Sequence, residues 1–234
     1  MLILGLTGGI ATGKSTVSSL LASPPYSFPI IDADTLAREV VLPGTSAYTA
    51  IVSHFSRFIP DLVLDSGALN RPALGRHIFS NSSERTVLNS ITHPAIRRAM
   101  LKRVLYLWIT GAPVVVLDVP LLFESKLHKF CGLTLVIACS PSTQRQRLLA
   151  RDGAILSESD ADQRISSQMS IESKAALADI VISNESSKQE LESALARAVA
   201  SFAPSRLRTL LERFPPFGAL VALFVFLSRS FSRP

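Results

Sequence analysis

The chain has two cysteines, one tryptophan, four histidines and no apolar run long enough to cross a bilayer. Each scarcity excludes something. Cys131 and Cys139 flank a predicted strand with no metal-ligand spacing, so a disulfide framework and a zinc site are both set aside; the two read as buried free thiols of a reducing compartment. The longest apolar stretch, Phe217–Leu227, is eleven residues, against about twenty for a spanning helix. The first apolar run is short, lacks a basic flank and leads straight into a glycine-rich turn, so no signal peptide is expected and the chain reads as intracellular, not secreted. There is no internal repeat. A formal charge of +6 suits phosphorylated ligands, nucleic acid or an anionic membrane, and alone selects none of them.

What is present begins at the N-terminus. Leu2–Leu6 predicts a buried strand, and Gly8-Gly9-Ile10-Ala11-Thr12-Gly13-Lys14-Ser15 fits the phosphate-binding pattern G-x-x-x-x-G-K-[ST]. Thr16 and Val17 then continue a helix ending near Leu21. The order strand, loop, helix is what the chemistry requires. Glycines allow peptide N–H groups to converge on phosphate oxygens, Lys14 reaches the β/γ-phosphates, and the Ser15 hydroxyl ligates Mg²⁺. The N-terminus of the following helix favours the same anion. ATP and Mg²⁺ are therefore the expected cofactors.

Ser27–Ile31 predicts a second strand delivering Asp32 and Asp34. Period-two alternation would put both carboxylates on one side, at the strand end where open α/β sheets bind ligands. The competing reading is that the acids cap a helix over Thr35–Val41. Arg38 lies one helical turn beyond Asp34, either paired with it or holding a substrate anion. From Thr45 to Met100 the patterns predict helices at Ser46–Arg57, Arg71–Phe79, Ser83–Ser90 and Pro94–Gly111, more than one crossover needs. This predicts a helical substrate-binding insertion. His93 precedes Pro94 at a predicted helix start and is either a turn-fixing residue or a donor near substrate.

Val114–Asp118 is the clearest buried strand, and its terminal Asp118 is positioned to hold a metal ion through water. Pro120 turns the chain out of the sheet, with Glu124 placed to point back to the site. Leu133–Ala138 predicts the next strand. A helix from Ser140 through Asp152, carrying Arg145, Arg147 and Arg151, and another over Ser157–Met169 suit a lid that neutralises developing charge and excludes water. Asp179–Asn184 predicts the last strand, with the Asn184 amide beside adenine, and Ser187–Phe202 a closing helix. The expected fold is thus α/β, a parallel sheet of about five strands flanked by helices. Its core comprises 1–44, 112–140 and 175–203, the insertion about 45–100 and the lid about 141–172, within a domain of 1–205. The tail, 206–234, reads as a membrane anchor, a helix packed on the domain or an oligomerisation segment. Membrane contact through Phe217–Leu227 is preferred.

Taken together, Leu6–Ile10, Ile31–Asp34, Ala37-Arg38, Pro43-Gly44, Ile78-Phe79, Thr92-His93-Pro94, Pro120–Glu124, Arg147 with Arg151-Asp152, and Asp179-x-Val181-Ile182-x-Asn184 resemble the dephospho-coenzyme A kinase family over Met1–Phe202. That resemblance implies a P-loop kinase fold and transfer of the ATP γ-phosphoryl group to the ribose 3′-hydroxyl of dephospho-CoA, with no nucleic-acid partner. It further implies that Gly8–Ser15 with Thr16 and Asn184 bind ATP, and that Asp34 is the proton acceptor. Lys14, Asp32, Arg147 and Arg151 assist catalysis, while Thr7, Arg38, His93, Pro120 and Glu124 contact the acceptor. Ser15, Asp32 and Asp118 would serve the metal; the division of labour between Asp32 and Asp34 stays open. The family loop often has glycine where this chain has Ala11. Another small-metabolite or nucleoside kinase, or a non-catalytic adaptor, are the alternative readings.

Overall fold

The computed structural model describes residues 1–153, 156–202 and 215–231. In chain order its elements are β1 (Leu2–Gly8), α1 (Lys14–Ala22), β2 (Ile30–Asp32), α2 (Ala33–Glu39), α3 (Ser46–Phe55), α4 (Arg71–Ser80) and α5 (Ser82–Thr110). They continue with β3 (Val114–Asp118), a 3-10 turn at Leu127–Phe130, β4 (Leu133–Ala138), α6 (Pro141–Asp152), α7 (Glu158–Ser166), α8 (Ile171–Leu177), β5 (Ile180–Ser183), α9 (Lys188–Phe202) and α10 (Pro215–Phe231). The chain divides into two compact units, Met1–Ile31 with Leu107–Pro234, and Asp32–Tyr106.

The first unit is built on a five-stranded parallel sheet of order β2-β3-β1-β4-β5. β1 lies between β3 and β4, with Leu6 opposite Asp118 and Gly8 opposite Ile137. The phosphate motif thus leaves the sheet beside the ends of two neighbouring strands, where parallel sheets present their ligand sites. Every residue of β3 is buried, which is why it reads as an unbroken apolar run: a parallel strand covered on both faces has no polar side. Leu4, Leu6, Val116, Leu135 and Ile137 pack with Val17 and Leu21 of α1 and Leu191 and Leu195 of α9. Phe123, Val136 and Ile171 make a separate cluster that seats α8. Both cysteines are buried free thiols, as the sequence suggested, and burial pushes the Cys131 thiol up to about 12.

The second unit has its own core of Ile51, Phe55, Ile59, Leu62, Leu69, Ala73 and Leu74. Helix ends there carry side-chain caps: Thr45 accepts from the Tyr48 N–H and Asn70 from the Ala73 N–H. His54 bonds Glu84 at 2.8 Å and Arg103 pairs with Glu39 at 3.2 Å, tying α3 and α2 to α5.

Two expectations are corrected here. The predicted helices on either side of His93-Pro94 are one helix, α5, of 29 residues with Pro94 inside it. Proline removes one donor and crowds one carbonyl, a cost of about 3 kcal/mol, and the helix continues through it on both sides. His93 is therefore an exposed mid-helix residue and no helix start. Secondly, β2 stops at Asp32 and α2 begins at Ala33, so period-two alternation does not govern Asp34. Asp32 caps α2 instead, its Oδ1 accepting from Asp34 N at 2.8 Å and Thr35 N at 3.3 Å. Among the described residues no ion pair joins Asp34 to Arg38, and both side chains are exposed.

At the C-terminal end, α10 lies against the 3-10 turn. Phe226 stacks on Phe130 with ring centroids 5.3 Å apart, and Arg229 bonds Asp179 at 3.0 Å and the Gly132 carbonyl at 3.0 Å. Burial acts to raise the Asp179 carboxyl pKa, yet the bonds from Arg229 and Thr134 outweigh it and leave it lowered. The outward face is apolar: Leu220, Leu223, Phe224 and Leu227 are all exposed. Among the described residues no helix is long and apolar enough to cross a membrane.

Candidate active site

The loop between β1 and α1 is bonded by side chains that reach its outer side. The Gly8 carbonyl accepts from Lys174 Nζ at 3.4 Å, Gly9 from Thr12 Oγ1 at 2.9 Å, Ile10 from Gln144 Nε2 at 2.8 Å, and Thr12 from Asn184 Nδ2 at 2.8 Å. With these carbonyls engaged by protein donors, the peptide units are oriented and their N–H groups are directed away. The N–H groups of Ala11, Gly13, Lys14 and Ser15 have no acceptor among the described residues, and α1 has no side-chain cap. An uncapped helix N-terminus behind a row of unpaired donors is an anion site. The Ile10 N–H differs, donating to Gln168 Oε1 at 3.1 Å.

The glycines owe their place to these contacts as much as to phosphate. A Cβ at Gly9 would stand 2.3 Å from Gln144 Nε2, and one at Gly13, whose φ is +92°, would stand 2.3 Å from Asn184 Nδ2. Ala11 has φ +60°, a left-handed conformation that costs an alanine about 1 kcal/mol and a glycine almost nothing. This chain holds the turn there with some strain.

Lys14 is ion-paired with Asp118, which is almost fully buried at the end of β3. Asp118, expected at the metal, is thus engaged by the loop lysine. Thr7 is fully buried and donates to the Pro120 carbonyl at 2.9 Å. Thr7 and Pro120, both assigned above to the acceptor, are thus bonded to each other in this structure. Glu124, also assigned above to the acceptor, has its Oε1 paired with Lys174 at 3.1 Å and accepting from the Met169 N–H at 3.1 Å. Asn184, expected beside adenine, donates its amide to the loop at Thr12.

On the predicted lid, Arg145 joins α6 to α7 through Asp162 at 2.9 Å and Glu158 at 2.7 Å. Arg151 is held by its neighbour Asp152 at 2.9 Å, and the half-buried Arg147 lies close to Cys139 and Glu185. Burial raises the Cys139 thiol despite that arginine. Hydrogen bonds from Thr143 and Ser140 lower the Glu185 carboxyl, with Arg147 adding to them.

Three residues that hold the loop escaped the sequence reading: Gln144, Gln168 and Lys174. A signal existed for two of them. Lys174 stands three residues after Ile171 and three before Leu177, and Gln144 four before Leu148, so each interrupts the apolar stripe of its helix. A polar residue in such a stripe is buried and must find partners.

Mg²⁺ fits this site as an ion carried in by a nucleotide. No group of three or more His, Cys, Asp or Glu forms a metal cage among the described residues. Magnesium keeps several waters and phosphate oxygens, however, and needs one or two protein oxygens. The exposed hydroxyl of Ser15, on the first turn of α1, is such a ligand.

A sequence model described as Dephospho-CoA kinase matches residues 2–190. The dephospho-CoA kinase CAB5 of Saccharomyces cerevisiae is 48% identical over 98% of this chain and 94% of its own. The dephospho-CoA kinase of Oceanobacillus iheyensis is 47% identical over 81% of this chain and 92% of its own. Among solved structures, TT1252 from Thermus thermophilus superposes with a TM-score of 0.71 at 33% identity, covering 87% of this chain and 98% of its own. The dephospho-CoA kinase from Campylobacter jejuni gives 0.66 at 28% identity, covering 86% and 96%. Matched along most of its length by these proteins, the chain belongs to the dephospho-CoA kinase family.

Proposed function

We propose that this chain transfers the γ-phosphoryl group of ATP to the ribose 3′-hydroxyl of dephospho-CoA, the last step of coenzyme A synthesis. The observation that carries it is the row of unpaired N–H groups beside Lys14 and Asp118 in a member of this family. In this reading the bond from the γ-phosphorus to the bridging oxygen breaks, the 3′-oxygen bonds to phosphorus, and Asp34 takes the hydroxyl proton. Lys14 and the loop N–H groups hold the phosphates, positioning and charge being most of what phosphoryl transfer asks of a protein. Bound Mg²⁺ would neutralise phosphate charge, with Ser15 as ligand and Asp32 orienting its water. Residues 45–100 with Arg38 hold the acceptor, and 141–172 act as a lid bringing Arg147 and Arg151 to bear.

The test is ATP-dependent phosphorylation of dephospho-CoA by the purified chain, set against shikimate, gluconate and nucleosides. Only dephospho-CoA should be turned over efficiently; preference for another acceptor would make the chain a different small-metabolite kinase, and no transfer to any would favour an adaptor. Asp34→Asn is expected to lower kcat about 10³-fold, as loss of a general base does, with ATP affinity within about threefold. An equal loss of ATP affinity would make Asp34 chiefly a nucleotide or metal ligand.

We further propose that α10 rests on a membrane surface. Its inner stripe holds it on the domain through Phe226 and Arg229, while Leu220, Leu223, Phe224 and Leu227 face outward. A helix of this kind lies in the interface plane and does not span. The full chain is expected to float with anionic vesicles, and Leu223→Glu with Phe224→Glu to abolish flotation with kcat unchanged. Retained flotation would leave packing, and a change of mass in solution would indicate assembly.

A further inference from the structure

Lys174 on α8 has no exposed surface. A buried ammonium is tolerated only where its donors are met, and this one has three protons and three acceptors. Nζ donates to the Pro120 carbonyl at 2.8 Å and to the Gly8 carbonyl at 3.4 Å, and is ion-paired with Glu124 Oε1 at 3.1 Å. These acceptors belong to three different parts of the unit. Gly8 is the first residue of the phosphate loop. Pro120 lies two residues beyond Asp118, the partner of Lys14. Glu124 also accepts from the Met169 N–H, where the chain returns from α7. An apolar side chain of equal volume would fill the same space without the cost of desolvating a charge, so what the charge holds is the point of interest.

We propose that Lys174 is a positioning residue for phosphoryl transfer, an inference that rests on the kinase reading above. One ammonium fixes the entry of the phosphate loop against the exit of β3, and so fixes the separation at which Lys14 meets Asp118. Through Glu124 it anchors the returning lid segment to the same point. Lys174 itself touches no reacting atom. Its contribution is geometric, and small displacements at a phosphoryl centre are costly in rate.

The test compares wild type, Lys174→Met, Glu124→Gln and the double variant by kcat, ATP dissociation constant and thermal midpoint. Lys174→Met is expected to lower kcat about 100-fold, with ATP affinity weakened less than about fivefold. It should also lower the midpoint, because Glu124 is left without its cation. In the double variant both charges are gone: the midpoint should recover toward wild type while kcat stays about 100-fold down, the Gly8 and Pro120 carbonyls no longer being held together by one ammonium. A merely structural role predicts the opposite, kcat recovering together with the midpoint, and that result would overturn the proposal. So would Lys174→Met turning over within threefold of wild type. Should Lys174→Met fail to fold, the double variant decides by the same comparison. Should wild type leave dephospho-CoA untouched, the substrate assignment falls, and the same four proteins are compared on the acceptor that is used or on ATP hydrolysis to water.

Discussion

Lys14→Met is expected to cost about 10³-fold in kcat/KM, the scale of removing a preorganised charge from a transferring group. Lys14 is the first residue of α1, directly after the loop, and its ammonium is already held in place by Asp118. No other lysine or arginine of the loop segment can replace it, since 8–16 contains no second basic residue. The substitution has a second consequence that separates chemistry from folding. Asp118 is about 4% exposed, and removing its partner leaves a buried carboxylate unpaired, which costs about 3 kcal/mol of stability. Adding Asp118→Asn should return most of that stability and none of the turnover. Steady-state kinetics beside thermal unfolding would check both, and wild-type turnover in Lys14→Met would reject the assigned role.

Gly13→Ala is expected to weaken ATP binding about 30-fold, through two costs that act at one residue. The φ of +92° is one that an alanine adopts at a cost of about 1 kcal/mol or more. The new Cβ would also stand 2.3 Å from Asn184 Nδ2. That amide must swing aside and give up its 2.8 Å bond to the Thr12 carbonyl. A buried carbonyl losing its donor costs about 1 kcal/mol, and an untethered peptide no longer directs the neighbouring N–H at phosphate. Asn184→Ala alone should show a smaller loss, since it removes the tether without the backbone strain. Calorimetric ATP titration of the two variants would measure this. Wild-type affinity in Gly13→Ala would mean that bracing from outside does not shape the loop.

These two positions show how differently the site was legible. Lys14 could be assigned from eight consecutive residues, because its chemistry is contained in one strand, one turn and one helix start. Gly13 could be assigned as a glycine for the loop, but the atom that forbids a larger residue belongs to Asn184, at the far end of the domain's sequence. The same holds for Asp32. Its type and place at a strand end suggested either ligand or cap, and the one-residue question of where β2 stops placed one of its oxygens on the cap of α2. Pro94 was legible as a helix signal and misleading, since α5 runs through it from Ser82 to Thr110 and local preference is a weak guide to where a helix begins.

The amino-acid sequence by itself determined the parallel sheet and the phosphate loop, written in local periodicity and a contiguous motif, and the ordered set of short motifs that resembles the kinase family. The tertiary structure decided what holds that loop. Gln144, Gln168, Lys174 and Asn184 reach it across 134 to 172 positions, and Arg229 reaches Asp179 across 50. Such contacts depend on which helix faces which strand, and no short-range pattern encodes them. The outcome is physical: the donors were available to an anion only after distant side chains had taken the carbonyls.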